Sequence, residues 1–278
     1  MNVTHLNCGT MREIPADGRE AARAVCHCLV VEADHGLVLV ETGFGAVDIG
    51  QPDVALGTEF LTRTEPLLDP AETAVAQLAA RGYDPADVTD IVLTHLDLDH
   101  CGGLPDFPAA RVHVHDAEYR SAMAVTGAHP EHTLRYRPAH WAHRPRWVTY
   151  PSRRDASWFG FDAVRLDGLP DEVLLVPLAG HTPGHCAVAV RGDDGWLLHA
   201  GDAFYYGGQV AVERWAIPLW DAFEEVTEVD RALRVGNLAR LRELVREHED
   251  EVRVFSAHDP WAFAEAVDGS PGFVGAAR

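Results

Sequence analysis

His95-Leu96-Asp97-Leu98-Asp99-His100 places four side chains with metal-binding chemistry inside six residues. The run follows Asp90-Ile91-Val92-Leu93-Thr94, a short and mostly apolar stretch that reads as a buried strand, and it leads into Gly102-Gly103. The cluster therefore sits on a loop at a strand end, where no helical or strand period constrains the side chains and they can converge. Further along come His185 in Gly180-His181-Thr182-Pro183-Gly184-His185, Asp202 in Ala200-Gly201-Asp202, and His258 in Ala257-His258-Asp259, each after an apolar run. Seven side chains in this order can serve two metal ions. Imidazole mixed with carboxylate suits zinc, and a larger carboxylate share favours iron or manganese. His113, His115, His181 and His199, each taken singly, read as structural.

The 278 residues fit one large α/β domain, and a hydrophobic share of 47% supplies a core. With 23 basic and 43 acidic residues the net charge is −20, which repels phosphate backbones and acidic membrane surfaces, so neither nucleic acid nor membrane is expected as a partner. Every basic side chain is Arg, which excludes Schiff-base chemistry and a phosphate-loop Lys. No apolar run has signal-peptide or membrane-span length, so the expected location is cytoplasmic. Cys8, Cys26, Cys28, Cys101 and Cys186 form an odd, sparse set that suits reduced thiols, and Cys26 and Cys28 read as small hydrophobes on one face of a strand.

Val25 to Val31 and Leu37 to Glu41 predict a hairpin turning at Ala33-Asp34-His35-Gly36. Asp69, Pro70, Glu72 and Gly82 supply start and stop signals for a helix over 70–81. Strands are expected at 111–115, 173–178, 186–190, 196–199 and 252–256, and a helix within 229–248. Between 118 and 160 the pattern degrades into Pro, Arg, Trp and His, which reads as an insertion or lid over the core of a single 1–278 domain. Trp141, Trp147, Trp158, Trp215 and Trp220 are candidates to line it, with core packing or a homodimer surface as the alternatives. Arg135, Arg137, Arg144, Arg146, Arg153 and Arg154 read as a solvated face, with recognition of an anionic substrate as the alternative.

Thr94 to Gly103 resembles the metallo-β-lactamase superfamily motif His-x-His-x-Asp-His, and Gly180 to His185, Gly201-Asp202 and His258 resemble that superfamily's later elements. The likeness runs from about Cys26 to Asp259 and implies a four-layer αββα sandwich with metals at one edge of two sheets. Carried across, it implies that His95, Asp97 and His185 hold one metal, that Asp99, His100 and His258 hold the other, and that Asp202 bridges them. Within the superfamily the chain is most similar to quorum-quenching N-acyl homoserine lactonases, because Tyr205 stands three residues after Asp202, where those enzymes place a substrate-polarising Tyr. Two departures stand out: Asp97 replaces the second motif His, and Glu41-Thr42-Gly43 stands where Asp-Thr-Gly is usual. Asp97 hardens the ligand set, so two zinc ions are expected with iron or manganese as alternatives, and a shorter side chain at 97 also allows one weak site.

The expected reaction is attack by a metal-bridging hydroxide on the ester or lactone carbonyl of a small molecule, with Asp99 orienting it and shuttling its proton and Tyr205 aiding the oxyanion. The alternatives are a phosphodiester or thioester hydrolase on the same site, a carboxylate-rich diiron protein reacting with oxygen or peroxide, and a binding protein that has lost catalysis.

Overall fold

The computed structural model describes residues 1–14, 21–124, 135–151 and 155–268. Twelve strands form two mixed six-stranded sheets. The first orders β1 (Val3–Ile14), β2 (Ala22–Ala33), β3 (Gly36–Val40), β4 (Val88–Val92), β5 (Arg111–His115) and β6 (Arg146–Tyr150) side by side. It is antiparallel through β3 and parallel from β3 to β6. The second orders β12 (Val252–Phe255), β11 (Gly195–His199), β10 (Cys186–Gly192), β9 (Val173–Pro177), β8 (Phe161–Arg165) and β7 (Ala156–Trp158). Only β11 and β12 pair in parallel there.

Alternation along the strands explains the layers. Leu29, Val31, Val38, Val40 and Val92 turn inward from the first sheet to meet Val164, Leu175, Val188, Val190 and Phe255 from the second. The opposite face of the first sheet, through Leu39, Ile91, Val112 and Val114, packs under Leu78 of the helix Ala74–Ala80 and Ala122 of the helix Asp116–Met123. The outer face of the second takes Leu238, Leu241, Leu244 and Val245 from the helix Arg231–His248, the apolar stripe expected from its spacing. This is the αββα sandwich.

Several local readings differ. The helix over 70–81 is two pieces, a single turn at Pro70–Glu72 and the helix Ala74–Ala80, because Thr73 sits at ψ 143 and caps the second piece by accepting from Ala76 N–H. The stretch 118–160 is not only a cover: it supplies β6 and β7, the outermost strands of the two sheets, together with most of the helix Asp116–Met123. His129, His132, Arg153 and Arg154 lie outside the described residues. No described helix is long and apolar enough to cross a membrane.

Candidate metal centre

The ligand loops gather at one end of both sheets. The loop after β4 carries His95 to His100, the β9–β10 loop carries His181 and His185, Asp202 follows β11 and His258 follows β12. Backbone bonds lock these loops together: Cys186 N–H donates to Thr94 O at 2.9 Å, Ala257 N–H to Gly201 O at 3.0 Å, and His27 N–H to Ala257 O at 2.8 Å. Gly201 turns with φ +53, and a Cβ there would meet His185 Nε2 and Thr94 Oγ1, each at 2.7 Å, so only Gly admits this approach.

Two groups of donor atoms result. In the first, His95 Nε2 lies 3.4 Å from Asp97 Oδ2 and 3.9 Å from Asp202 Oδ2, while His181 Nε2 lies 3.1 Å from Asp97 Oδ2 and 3.4 Å from Asp202 Oδ2. In the second, Asp202 Oδ1 lies 3.3 Å from His100 Nε2 and 3.2 Å from His258 Nε2, and Asp99 Oδ2 lies 3.6 Å from His258 Nε2. Donors about 2.1 Å from a tetrahedral ion are separated by about 3.4 Å, so both groups fit a zinc-sized cation. His95 Nε2, His100 Nε2 and Asp202 Oδ1 are buried without a hydrogen-bond partner among the described residues, as expected of atoms that face a cation. Asp202 alone offers an oxygen to each group.

His185 lies outside both donor groups among the described residues. Its ring nitrogens are both taken by the backbone, Nδ1 by Leu178 O at 3.1 Å and Nε2 by the Asp202 N–H at 3.0 Å. The loop turns back at Gly180, and His181 is the imidazole of this loop that lies in the first group. His185 instead fixes the backbone of Asp202. Burial and the Arg135 guanidinium hold His181 down to about 4, so its imidazole is neutral and has a lone pair to give.

The outer support was partly unforeseen. Glu41 sits in the left-handed region at φ 65, an unusual conformation for a non-glycine residue, and its carboxylate accepts from Thr94 N–H at 2.5 Å and pairs with His100 Nδ1 at 2.7 Å. It thus orients His100 with Nε2 toward the second group, the role that the Glu41-Thr42-Gly43 departure leaves intact. Glu41→Gln, which keeps the shape but loses the charge, is expected to weaken zinc binding about 10- to 100-fold, read by chelator competition. Glu118, fully buried, accepts from Leu96 N–H at 3.0 Å, Gly184 N–H at 3.2 Å and Tyr136 O–H at 2.9 Å, which ties the β4 loop to the β9–β10 loop. No motif announces it. Cys26 packs as expected, yet its sulfur also comes within 4.8 Å of donor atoms of Asp99 and His258.

The Arg cluster is not simply a solvated face. Arg135 keeps only 14% of its side chain exposed and donates from one terminal nitrogen to Asp97 Oδ2 at 2.7 Å. Burial opposes ionisation of Asp97, but Arg135 and His95 hold its carboxyl well below the usual carboxylate range. Arg137 and Arg146 bind backbone carbonyls elsewhere. Of the five candidate Trp residues only Trp220 lines the cleft above the donors; the other four pack in or against the hydrophobic clusters.

Residues 22–258 match the metallo-β-lactamase superfamily. The chain belongs to that superfamily. It is 41% identical over 271 residues to a probable metallo-hydrolase of Mycobacterium tuberculosis, covering 96% of this chain and 83% of that one. It is 29% identical over 211 residues to the N-acyl homoserine lactonase AttM of Agrobacterium fabrum, covering 72% and 68%. A solved structure of B. thuringiensis AiiA with N-decanoyl-L-homoserine bound at its active site superposes with a TM-score of 0.68 at 21% identity, covering 93% of each chain. The superfamily assignment makes the chain a metallo-hydrolase, with a divalent metal as its cofactor.

Proposed function

We propose that this metallo-hydrolase opens the ester or lactone carbonyl of a small molecule that carries an apolar group, using two divalent cations. The observation that carries this reading is the pairing of the two donor groups with the cleft above them, a space of about 240 Å³. Asp97, Asp99, Asp202, His181 and His258 form its floor, while Phe60, Leu219, Trp220 and Phe223 form an apolar wall. Polar reaction groups below and apolar side chains beside them fit a carbonyl attached to a hydrocarbon segment, in keeping with the lactonases among the relatives.

Cations in the two groups would supply Lewis acidity to the carbonyl and lower the pKa of the attacking water. The protein's own groups supply the rest. Asp99 has 12% of its side chain exposed at the cleft floor, where its carboxylate accepts the water proton and returns it to the leaving alkoxide. Tyr205 lines the same floor, with its ring centroid 6.2 Å from that of His181 and 5.8 Å from that of His258. Burial and the Asp202 carboxylate push its hydroxyl well up, so it stays protonated as a donor; Thr227 Oγ1, 3.0 Å away, holds its orientation.

The test is metal analysis of the purified protein joined to a hydrolysis panel of lactones, esters, thioesters and phosphodiesters. Turnover concentrated on lactones or esters with an apolar acyl chain supports the reading, and exclusive phosphodiester turnover rejects it. Asp99→Asn is expected to lower kcat about 10²- to 10⁴-fold while some metal is retained. An Asp99→Asn protein with both metals and full activity removes Asp99 from the mechanism.

A further inference from the structure

The two donor groups differ in one respect that the ligands themselves do not reveal: the first has a cation of the chain's own beside it. One terminal nitrogen of Arg135 donates to Asp97 Oδ2 at 2.7 Å and lies 3.1 Å from His181 Nε2. The other terminal nitrogen donates to the carbonyl of Thr227, which anchors the guanidinium against the helix Pro218–Thr227. Asp97 Oδ2 and His181 Nε2 are also the atoms that face Asp202 Oδ2 and His95 Nε2 across the first group. The guanidinium thus engages lone pairs that a metal there would use. In the second group Asp99 and the Oδ1 of Asp202 pair with His100 and His258, and among the described residues no Arg forms an ion pair with either carboxylate.

Charge explains why the pair stands together. A His at 97 would be neutral, whereas Asp97 adds a buried negative charge that needs a partner, and Arg135 cancels it. The cancellation has a cost for metal binding, because a guanidinium within hydrogen-bond reach of two ligands repels a divalent ion and competes for its donors.

Resting on the two-cation reading above, we propose that Arg135 makes the two metal positions unequal: the first, at His95, Asp97 and His181, binds its cation more weakly and releases it first, and the second retains its own. Arg135 is a positioning residue in this account, acting through Asp97 and His181.

The experiment is stepwise removal of zinc from the loaded full-length protein by a chromogenic chelator, with metal content measured at each step and folding followed by circular dichroism. Wild type is expected to release zinc in two steps separated by about 10-fold or more in affinity. Arg135→Met is expected to tighten the weaker step about 10-fold, bringing the two together, and Arg135→Lys to keep them apart because the cation remains. If Arg135→Met does not fold, Arg135→Gln keeps an amide NH2 donor without the charge and is expected to show the same tightening. Asp97→Asn is expected to abolish the weaker step and leave the tighter one. A weaker step unmoved or loosened in a folded Arg135→Met or Arg135→Gln protein overturns the proposal, as does loss of the tighter step in Asp97→Asn. Wild-type protein that holds no zinc overturns the two-cation reading, whereas two zinc ions released in a single step overturn only the inequality.

Discussion

His181→Ala is expected to remove one bound cation and to lower kcat/KM by roughly 10³-fold, equivalent to about 4 kcal/mol of transition-state stabilisation. His185→Ala is expected to keep both cations. The difference follows from where three nitrogens point. His181 Nε2 faces Asp97 Oδ2 at 3.1 Å and Asp202 Oδ2 at 3.4 Å, whereas both nitrogens of His185 are occupied by backbone groups. Removing His185 leaves the Asp202 N–H and the Leu178 carbonyl buried without that partner, so its cost falls on stability, about 2–5 kcal/mol. Metal content, steady-state kinetics and thermal melting of the two variants separate these outcomes. A His185→Ala protein that loses a cation while His181→Ala retains both reverses the assignment.

Glu118→Ala is expected to destabilise the fold by about 3–6 kcal/mol, the largest loss for any single truncation near the site, and to leave much of the purified protein unfolded or poor in metal. Three buried donors, Leu96 N–H, Gly184 N–H and Tyr136 O–H, would lose their shared acceptor together. Each unpaired buried donor costs about 1–3 kcal/mol, and water cannot enter a site of zero exposure without rearrangement. Glu118→Gln retains an acceptor oxygen and is expected to lose about half as much. Urea unfolding midpoints of the two variants give the comparison, and a Glu118→Ala protein within 1 kcal/mol of wild type would refute the tether.

What the sequence made legible is what elementary rules of spacing carry. Strands β4 and β9 to β12 are short stretches rich in apolar residues, β5 alternates Val with His, and the predicted hairpin turn closes with Ala33 opposite Gly36. The candidate ligands stand out because each comes after one of these strands. Other elements are hidden for physical reasons. Register breaks between Asn7 and Thr10 and between Thr10 and Glu13 spoil the alternation of β1, and β6, an edge strand, buries fully only Tyr150. That His181 rather than His185 lies beside Asp97 is invisible in a loop, where no period fixes the direction of either side chain. Glu41, Glu118 and Arg135 escape a residue-by-residue reading because their roles depend on partners at least 18 residues away, such as Tyr136 and Leu96 for Glu118.

The placement of the ligands on both sheets has a thermodynamic consequence. His95 to His100 belong to the first sheet's loops, whereas His181, Asp202 and His258 belong to the second's, so each donor group exists only while the two halves are docked. Without a counterion, Asp97, Asp99 and Asp202 crowd negative charge into that seam, offset only in part by Arg135 and by histidine protonation. Cation capture by these groups would then be linked to docking, and the free metal concentration around the protein would set how firmly its two halves stay closed.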